Sequence, residues 1–437
     1  MENNSNPRVE CIKALVQIER NESYSNLVIN DVLKKVTFTP EDKSLFTKIV
    51  YGVIANKTFL LWVLKKYVKR PHKQQDWLKY TLMTSLYQIA FLDSIPDYAV
   101  VNEGVKYVKK RNYRKASFVN AVLRNIVREK DSIFDVPKED FLEFLSIRYS
   151  YPRWMVEEFS KVTTTNEHLE ALLKAMNSSH HTTLRVNTLK STKEELLRTL
   201  KDKGIDVSSV DQYRVAIKFN SSTPLNNIKE LDEGKCFVQS LGSILVGEIA
   251  DPKPGETVID MCAAPGTKTT HLAQQMGDKG KIYACDVHKH RVNLIKKSCQ
   301  TAGVNIVEPV LLDSTKACEY FQKRFDLVLL DAPCSGLGVI ANKPDIKWNK
   351  SKDDLVSIAS LQLELIKNGV KLLNPGGVLI YSTCTLTKTE NEDIVNYALN
   401  IDDTLSLVQQ RHVFPDKDNT DGFYIAKIKK RKKGEID

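Results

Sequence analysis

Residues 258–269, VIDMCAAPGTKT, combine a short apolar run, a turn of small residues and the start of a helical segment that continues as HLAQQM. The same order of apolar run, turn and helix-length segment recurs from residue 251 onward. The later apolar runs are Lys281 to Cys285, Val310 to Leu312, Asp326 to Leu330 and Val378 to Tyr381. Such alternation predicts a doubly wound α/β domain, in which helices cover both faces of a mostly parallel sheet.

The chain upstream of this pattern is predicted to fold differently. Residues 1–130 contain successive apolar stripes at helical spacing, one of them behind the helix-start signal Thr39-Pro40, and predict an all-α domain. Residues 131–250 begin with an acidic, proline-containing segment and continue with helical and strand-like stretches, which predicts a connector and a small α+β subdomain. Residues 251–437 then form the doubly wound domain.

The formal net charge of +10 is unevenly distributed along the chain. Residues 1–130 hold 23 Lys and Arg against 12 Asp and Glu, so the surplus belongs to the predicted helical domain. Cations interleaved with aromatic side chains suit a polyanion such as RNA, and a solvated lysine-rich face is the alternative. The RNA-binding candidates of this domain lie around Tyr113 and are Lys109, Lys110, Arg111 and Arg114.

Composition disfavours two classes of protein. No run approaches roughly 18 apolar residues and the first residues lack the apolar core of a secretory signal, so a cytoplasmic protein that does not enter a membrane is expected. The eight cysteines are scattered, without a C-x-x-C pair or a His/Cys cluster at metal-ligand spacing. Neither disulfides nor a bound metal is expected.

A candidate nucleotide site lies at residues 262–268, the turn after the first strand, called here the cofactor turn. Small residues let the backbone pass close to a ligand at the carboxyl edge of the sheet. Asp286, 20 residues after Gly266, is placed to accept hydrogen bonds from ribose hydroxyls, and Asp313 is a further candidate for the same crevice. Because G-x-G-x-x-G and G-x-x-x-x-G-K-[ST] are missing, an adenosine-containing mononucleoside is favoured; a tight turn with a surface aspartate is the alternative.

Two cysteines follow successive predicted strands and therefore face one crevice. Cys334 ends DAPC (331–334) after the run FDLVLL, and Cys384 lies in STCT (382–385) after the run VLIY. For either cysteine alone, a buried structural role is the usual alternative. The pair beside a cofactor turn is better explained by chemistry.

Two thiols beside a nucleoside cofactor would suit one reaction in particular, the methylation of carbon 5 of cytosine. That carbon is too weak a nucleophile to attack a sulfonium methyl group, whereas addition of a thiolate to carbon 6 turns it into the reactive carbon of an enamine. The Asp331 carboxyl group can serve the ring nitrogen as charge builds during addition, and a second thiol can assist release. The two thiols and Asp331 would thus supply the groups that covalent catalysis on a pyrimidine needs.

CAAPGTKT (262–269), Asp286, LLDAPCSGLG and YSTCT resemble the motifs of the RNA 5-methylcytosine methyltransferase family named for its bacterial member Sun, or Fmu. The resemblance implies a Rossmann-like domain that binds S-adenosylmethionine, with Cys384 as the nucleophile and Cys334 promoting product release. DNA cytosine methyltransferases instead attack with the cysteine of their P-C motif. The cofactor residues implied are Cys262, Ala263, Ala264, Pro265, Gly266, Thr267 and Lys268, with Asp286 at the ribose, Asp313 near the adenine and Asp331 near the methyl donor.

The rest of the chain also resembles this family. The N-terminal domain is similar to the RNA-binding antitermination factor NusB, and this combination implies a cytosine of small-subunit (16S) ribosomal RNA as substrate. LRVNTLK (184–190) resembles the strand that opens the catalytic module, which makes Arg185 and Asn187 site candidates, Arg185 as an RNA contact, with fold-stabilising roles equally open. KPDIKW (343–348) resembles a loop beside the active site and makes Lys347 a candidate RNA contact.

Two positions depart from the family pattern, and three alternatives stay open. Thr267 stands where a glycine is usual, and Ser240 where an acidic residue is usual. A related enzyme acting on transfer RNA would be revealed by which RNA loses its 5-methylcytosine on deletion. A non-catalytic RNA-binding assembly factor would tolerate Cys384→Ala, and a small-molecule methyltransferase would leave the basic domain unexplained. A monomer is expected.

Overall fold

The computed structural model describes residues 6–21, 24–178, 181–221 and 223–432, and divides the chain between two units. The helical unit consists of residues 1–177 and 342–349, and the sheet unit of residues 178–341 and 350–437. The helices of the helical unit are α1 (Pro7–Asn21), α2 (Ser25–Lys35), α3 (Pro40–Ala55), α4 (Lys57–Lys65), α5 (Asp76–Phe91), α6 (Asp97–Arg111), α7 (Tyr113–Arg128), α8 (Phe141–Arg148), α9 (Arg153–Ser160) and α10 (Asn166–Ala175).

Helix α3 shows why the N-terminal sequence folds in this way. Thr39 caps it by accepting a hydrogen bond from the Asp42 amide, and Pro40 occupies the first turn, where a missing N–H costs nothing. Its apolar stripe, including Phe46 and Ile49, is buried. Among the described residues, no single helix is long and apolar enough to span a membrane; the pair α3 and α4, bent by 73°, satisfies that criterion by length and composition only.

The sheet unit opens with a small antiparallel sheet of order β2-β3-β1-β4. Its elements are β1 (Thr182–Val186), α11 (Lys193–Asp202), β2 (Val207–Ser209), β3 (Ala216–Phe219), α12 (Lys229–Asp232) and β4 (Cys236–Val238). Helix α11 begins with a capping box between Thr192 and Glu195 and packs its apolar face on this sheet. A separate small core results.

A seven-stranded sheet of order β10-β11-β9-β8-β5-β6-β7 dominates the unit. Its elements are α13 (Leu241–Ala250), β5 (Thr257–Asp260), α14 (Thr267–Gln275), β6 (Lys281–Asp286), α15 (Lys289–Ala302), β7 (Val307–Leu311), α16 (Ala317–Tyr320), β8 (Phe325–Asp331), α17 (Lys352–Lys371), β9 (Leu373–Thr383), α18 (Glu392–Ile401), β10 (Leu405–Val413), α19 (Pro415–Asp418) and β11 (Phe423–Lys430). Strands β9, β8, β5, β6 and β7 pair in parallel, and β11 joins β9 and β10 in antiparallel fashion.

Strand β8 is apolar along most of its length because both faces of the sheet are covered. Val328 and Leu330 belong to the core beneath α17 and α18, and Leu327 and Leu329 to the core beneath α13, α14 and α15. Side chains of one strand thus alternate between two cores. Burial on both faces of the sheet therefore fixes the register of β8 against β9.

The predicted fold class is confirmed: an all-α N-terminal part, a small α+β part and a doubly wound sheet. The domain boundaries at residues 130 and 250 stay predictions. The antiparallel strands β10 and β11 were not predicted, because β10 is largely exposed and polar and the second half of β11 is rich in lysine. Strand β10 lacks the apolar run that marks the buried parallel strands, whereas β11 begins with such a run, FYIA (423–426), before its lysines.

We expect Leu329→Ala to lower the free energy of unfolding of the sheet unit by about 2–5 kcal/mol, since it empties a fully buried position in the central strand. The matched control, Leu361→Ala on α17, removes a leucine that is 41% exposed and should cost less than about 0.5 kcal/mol. Urea unfolding followed by circular dichroism measures both free energies. Tryptophan fluorescence would not report on this unit, because the four tryptophans lie outside it. Equal destabilisation by the two substitutions would contradict this account of the core.

Candidate active site

The carboxyl ends of β5, β8 and β9 meet at one edge of the sheet. These strands are parallel neighbours, so the residues that end them, Asp260, Asp331 and Thr383, are brought to the same side. Strand β5 lies between β8 and β6, where the chain order of the strands reverses. Doubly wound sheets bind ligands in the crevice at such a point.

The cofactor turn is held between β5 and α14 by backbone hydrogen bonds. The Ala263 amide donates to the Cys285 carbonyl (2.9 Å), and the Gly266 amide donates to the Ala263 carbonyl (2.7 Å). Gly266 has a φ of 103°, and a Cβ there would lie 3.1 Å from the Cβ of Ser298. The positive φ therefore favours glycine, and any side chain would be tight against Ser298.

Two of the predicted cofactor carboxylates differ in their surroundings. Asp286, at the end of β6, is buried; its Oδ1 accepts from the His288 amide (2.9 Å) and its Oδ2 lies 3.4 Å from Arg291. Asp313 is exposed, and its Oδ1 accepts from the amide and hydroxyl of Thr315. Asp286 lies at the strand end next to the turn, whereas the Oδ1 of Asp313 is engaged in a local cap.

Asp260, which ends β5 directly before the cofactor turn, was not among the predicted site residues. Its Oδ2 accepts from the Thr269 hydroxyl (2.7 Å), while its buried Oδ1 has no hydrogen-bond partner. Burial raises the pKa of this carboxyl group to about 7. Buried polar atoms normally have partners, so an orphaned acceptor beside the glycine turn fits a bound molecule that brings a donor. The turn and its acids thus suit the predicted S-adenosylmethionine.

Asp331, at the end of β8, lies between a hydroxyl and a cation. Its Oδ1 accepts from the Ser382 hydroxyl (2.7 Å), and its Oδ2 accepts from the Lys268 ammonium (2.8 Å). Burial by itself would lower the pKa of Lys268, but Asp331 raises it on balance and Cys384 acts in the same direction. The cofactor turn is in this way linked by charge to both strand ends that carry the cysteines.

The structure brings the two predicted cysteines together, with 3.3 Å between the Sγ atoms of Cys334 and Cys384. The hydrogen bond to Cys384, followed by burial, raises the pKa of the Cys334 thiol. Cys334 therefore keeps its proton and can donate it to the other sulfur. Cys384 contributes to the raised pKa of Lys268, so the ammonium lies near this second sulfur.

Lys347 is not placed as predicted. Its side chain is 1% exposed and belongs to the helical unit, where its ammonium donates to the carbonyls of Ala55, Tyr149 and Ser150 and to the Oδ1 of Asn177. Burial lowers its pKa well below the usual value. The prediction that Lys347 contacts RNA is wrong, because its hydrogen-bonding capacity is used by the protein.

Arg185 is likewise buried rather than available to RNA. It donates to the Thr267 carbonyl (2.8 Å) and to the Thr270 hydroxyl (3.0 Å), which holds the start of α14 behind the cofactor turn. Burial lowers its pKa to about 9. Direct RNA binding by Arg185 is thus wrong, and the fold-stabilising alternative holds. Asn187 is similar, since its side-chain amide donates to the carbonyls of Gly234 and Ala302.

Both departures from the family pattern have local explanations. Thr267 is the first residue of α14 and is not among the residues of positive φ, so its position does not demand glycine. Ser240 caps α13 by accepting from the Ser243 amide. A serine performs the capping that an acidic residue would also perform.

The four basic RNA candidates of the helical unit are exposed. Lys109 lies 5.5 Å from the ring centre of Tyr113, which is 73% exposed, and Arg111 lies 5.4 Å from that of Trp77. Lys110 and Arg114 are exposed on α6 and α7. These four residues are called the basic surface. In the described part of the chain, no group of three His, Cys, Asp or Glu residues is arranged to hold a metal.

Comparison with known protein families gives matches along most of the chain. A model described as 16S rRNA methyltransferase RsmB/F matches residues 248–429, the NusB family matches 5–128, and the ferredoxin-like domain of RsmF/B-like methyltransferases matches 151–226. Among solved structures, PH0851 is 28% identical and covers 98% of this chain and 99% of its own, with a TM-score of 0.78. A methyltransferase homologue from Pyrococcus horikoshii is 30% identical, covers 67% of this chain and 99% of its own, and has a TM-score of 0.61.

Curated relatives extend over almost the full length. The probable ribosomal RNA small subunit methyltransferase B of Bacillus subtilis is 36% identical and covers 96% of this chain and 98% of its own. Its counterpart from Synechocystis is 31% identical and covers 95% and 97%. The predicted enzyme class and the predicted methyl donor, S-adenosylmethionine, are confirmed. The chain belongs to the RsmB family of 16S ribosomal RNA methyltransferases.

Proposed function

We propose that this chain methylates carbon 5 of a cytosine in 16S ribosomal RNA, with Cys384 as the nucleophile, Asp331 as its acid–base partner and Cys334 as the group that promotes release. The observation that carries the proposal is the 3.3 Å separation of the two sulfur atoms at the ends of neighbouring parallel strands, beside the Asp331–Lys268 ion pair. The arrangement offers one thiol that keeps its proton, Cys334, and a second sulfur, Cys384, near the Lys268 ammonium.

In the first step, the Cys384 thiolate adds to carbon 6 of the cytosine, and the ring nitrogen takes up a proton as negative charge builds. In the proposed step, the Lys268 ammonium is the source of that proton, and the Asp331 carboxylate, which accepts a hydrogen bond from it, relays the proton to the ring nitrogen. The hydroxyl of Ser382 keeps Asp331 oriented. Carbon 5 thereby becomes the nucleophilic carbon of an enamine.

Residues 262–268, with Asp260 and Asp286, would hold S-adenosylmethionine; Asp313 and Asp331 complete the proposed set. When bound, S-adenosylmethionine supplies an electrophilic methyl group that carbon 5 accepts. The orphaned Oδ1 of Asp260 and the left-handed Gly266 support this placement. Arg185 keeps the turn in shape from behind.

Release requires that the carbon 5 proton passes to solvent, that the bond between carbon 6 and sulfur breaks with its electron pair on sulfur, and that the ring nitrogen returns its proton to the Asp331–Lys268 pair. The Cys334 thiol, 3.3 Å from the departing sulfur, donates a hydrogen bond to the thiolate that forms. Cys334 is protonated because its pKa is raised. Without it, the covalent adduct between protein and RNA persists.

Substrate binding is proposed to involve the basic surface. Exposed cations beside the exposed ring of Tyr113 can contact phosphates and stack on an unpaired base. The target cytosine must leave its stack to reach the two sulfurs, so an unpaired stretch of RNA is the expected substrate. We infer a monomer that acts in the cytoplasm, where ribosomal RNA is available.

Replacing each cysteine in turn by alanine distinguishes their two roles. Cys334→Ala should accumulate a protein–RNA adduct that survives denaturing electrophoresis, and Cys384→Ala should give neither adduct nor methylation, because the carbon–sulfur bond forms only at Cys384. Cys318→Ala, which alters a half-buried thiol outside the site, is the control and should behave as the unchanged protein. The opposite assignment of the two cysteines would follow from the reverse pattern.

The substrate is identified by mapping 5-methylcytosine in total RNA by bisulfite sequencing, with and without the gene. One cytosine of 16S ribosomal RNA should lose its methyl group on deletion, and expression of the Cys384→Ala variant should not restore it. Loss from a transfer RNA instead would establish the alternative substrate. Full restoration by Cys384→Ala would favour a non-catalytic assembly factor.

Neutralising the basic surface tests its contact with RNA. Replacing Lys109, Lys110, Arg111 and Arg114 together by glutamine should weaken binding of a 16S ribosomal RNA transcript. The slope of log affinity against log salt should fall by up to about 3, since each lost phosphate contact removes roughly 0.7 for a single strand.

The matched control for this variant replaces four other exposed lysines of the helical unit by glutamine, namely Lys13, Lys34, Lys43 and Lys48. It changes the net charge by the same amount on α1, α2 and α3. An equal loss of affinity and slope in both variants would mean that total charge, rather than this surface, attracts the RNA.

A further inference from the structure

Two adjacent buried residues, Glu390 and Asn391, follow β9 and take no part in the chemistry described above. Glu390 ends a short 3-10 helix, Lys388–Glu390, and both side chains are fully buried. Neither residue was predicted to belong to the site, although both lie in an uninterrupted polar run, TKTENE (387–392), shortly after the motif of the nucleophile. Burying a carboxylate costs free energy unless it is fully hydrogen-bonded. The hydrogen-bond partners of Glu390 therefore indicate its role.

Glu390 binds the loop that carries Cys334. Its Oε1 accepts from the Ser335 amide (2.8 Å) and the Gln362 side chain (3.3 Å), and its Oε2 accepts from the hydroxyls of Ser335 (2.5 Å) and Thr387 (2.9 Å). All four partners are donors, which an ionised carboxylate satisfies and an amide does not. Gln362 also donates to the Pro333 carbonyl (2.8 Å), so both neighbours of Cys334 are held.

Asn391 binds the two neighbours of Cys384. Its Oδ1 accepts from the Thr383 hydroxyl (2.6 Å), and its Nδ2 donates to the Thr385 carbonyl (3.1 Å). The acceptor and the donor of one amide thus match the donor and the acceptor on either side of the cysteine. A carboxylate at this position would set an acceptor against the Thr385 carbonyl.

The sheet itself does not set the distance between the sulfurs. The ladder between β8 and β9 ends at the pair of Asp331 with Ser382, and both cysteines lie beyond it. Two further bonds join their loops, one from the Gly338 amide to the Cys384 carbonyl (2.9 Å) and one between the hydroxyls of Ser335 and Thr385 (3.0 Å). Since the Ser335 proton goes to Glu390, Thr385 is the donor of the latter bond.

We propose that Glu390 and Asn391 act as paired positioning residues for the methyl-transfer reaction: Glu390 fixes the release cysteine, Cys334, and Asn391 fixes the nucleophile, Cys384. The inference rests on the proposed function and deepens it. Because the two residues are consecutive, one short segment sets both sulfurs against the same target ring. Each residue therefore governs a different half of the reaction.

Glu390→Gln is the first test. It replaces one of the two carboxylate oxygens that accept from the amide and the hydroxyl of Ser335 by an NH₂ group, which cannot accept a hydrogen bond. Release should slow by roughly 10- to 100-fold while adduct formation stays near normal, so that adduct accumulates as in Cys334→Ala. Asn391→Asp should slow adduct formation by a similar factor when measured in a Cys334→Ala background. KM for S-adenosylmethionine and for RNA should change little in both variants, and Lys388→Ala, an exposed neighbour, should match the unchanged protein.

Thr387→Val and Thr383→Val provide milder forms of the same test if either first variant fails to fold. Each removes one hydroxyl donor to Glu390 or Asn391 and should show the same half-reaction defect, with folding checked by circular dichroism. A loss that is equal in both half-reactions, or no loss in either, overturns the inference. If Cys334→Ala itself forms no adduct, the proposed function fails instead, so the two failures are distinguishable.

Discussion

The parallel pairing of β8 with β9 is the constraint on which the site depends. Its register sets Asp331 opposite Ser382, and both chains then leave the sheet at the same edge. Strand β8 is held in place by two cores, so a slip by one residue would turn Leu329 and Leu330 to the wrong faces. The position of the candidate acid–base residue is thus secured by apolar burial at a distance from the chemistry.

Beyond the strand ends, polar groups take over from apolar packing. The Asp331–Lys268 ion pair joins the cofactor turn to β8, and Glu390 with Asn391 joins the loops of the two cysteines. Hydrogen bonds are directional, so they fix distances between atoms more sharply than apolar contacts do. Burying these polar side chains costs little free energy, because nearly every donor and acceptor among them has a hydrogen-bond partner.

Buried cations show where sequence-based interpretation went wrong. Lys347 and Arg185 lie in motifs shared with RNA-modifying enzymes, and both are charged, so they were predicted to contact RNA. In the structure their donors are used by backbone carbonyls and side chains of the same chain. Whether a lysine faces solvent or fills a polar cavity is decided by segments far away in sequence, such as Ala55 for Lys347.

The sequence by itself determined the fold class, the family and the two cysteines, because apolar periodicity and short motifs at strand ends are local properties of the chain. It also located the glycine that the cofactor turn favours at 266, since that preference is set by backbone conformation. Only the tertiary structure decided that the sulfurs lie 3.3 Å apart, that Asp260 has an orphaned oxygen and that Glu390 and Asn391 hold the cysteines. Those facts depend on contacts between segments separated by tens of residues, and such contacts exist only once the sheet has formed.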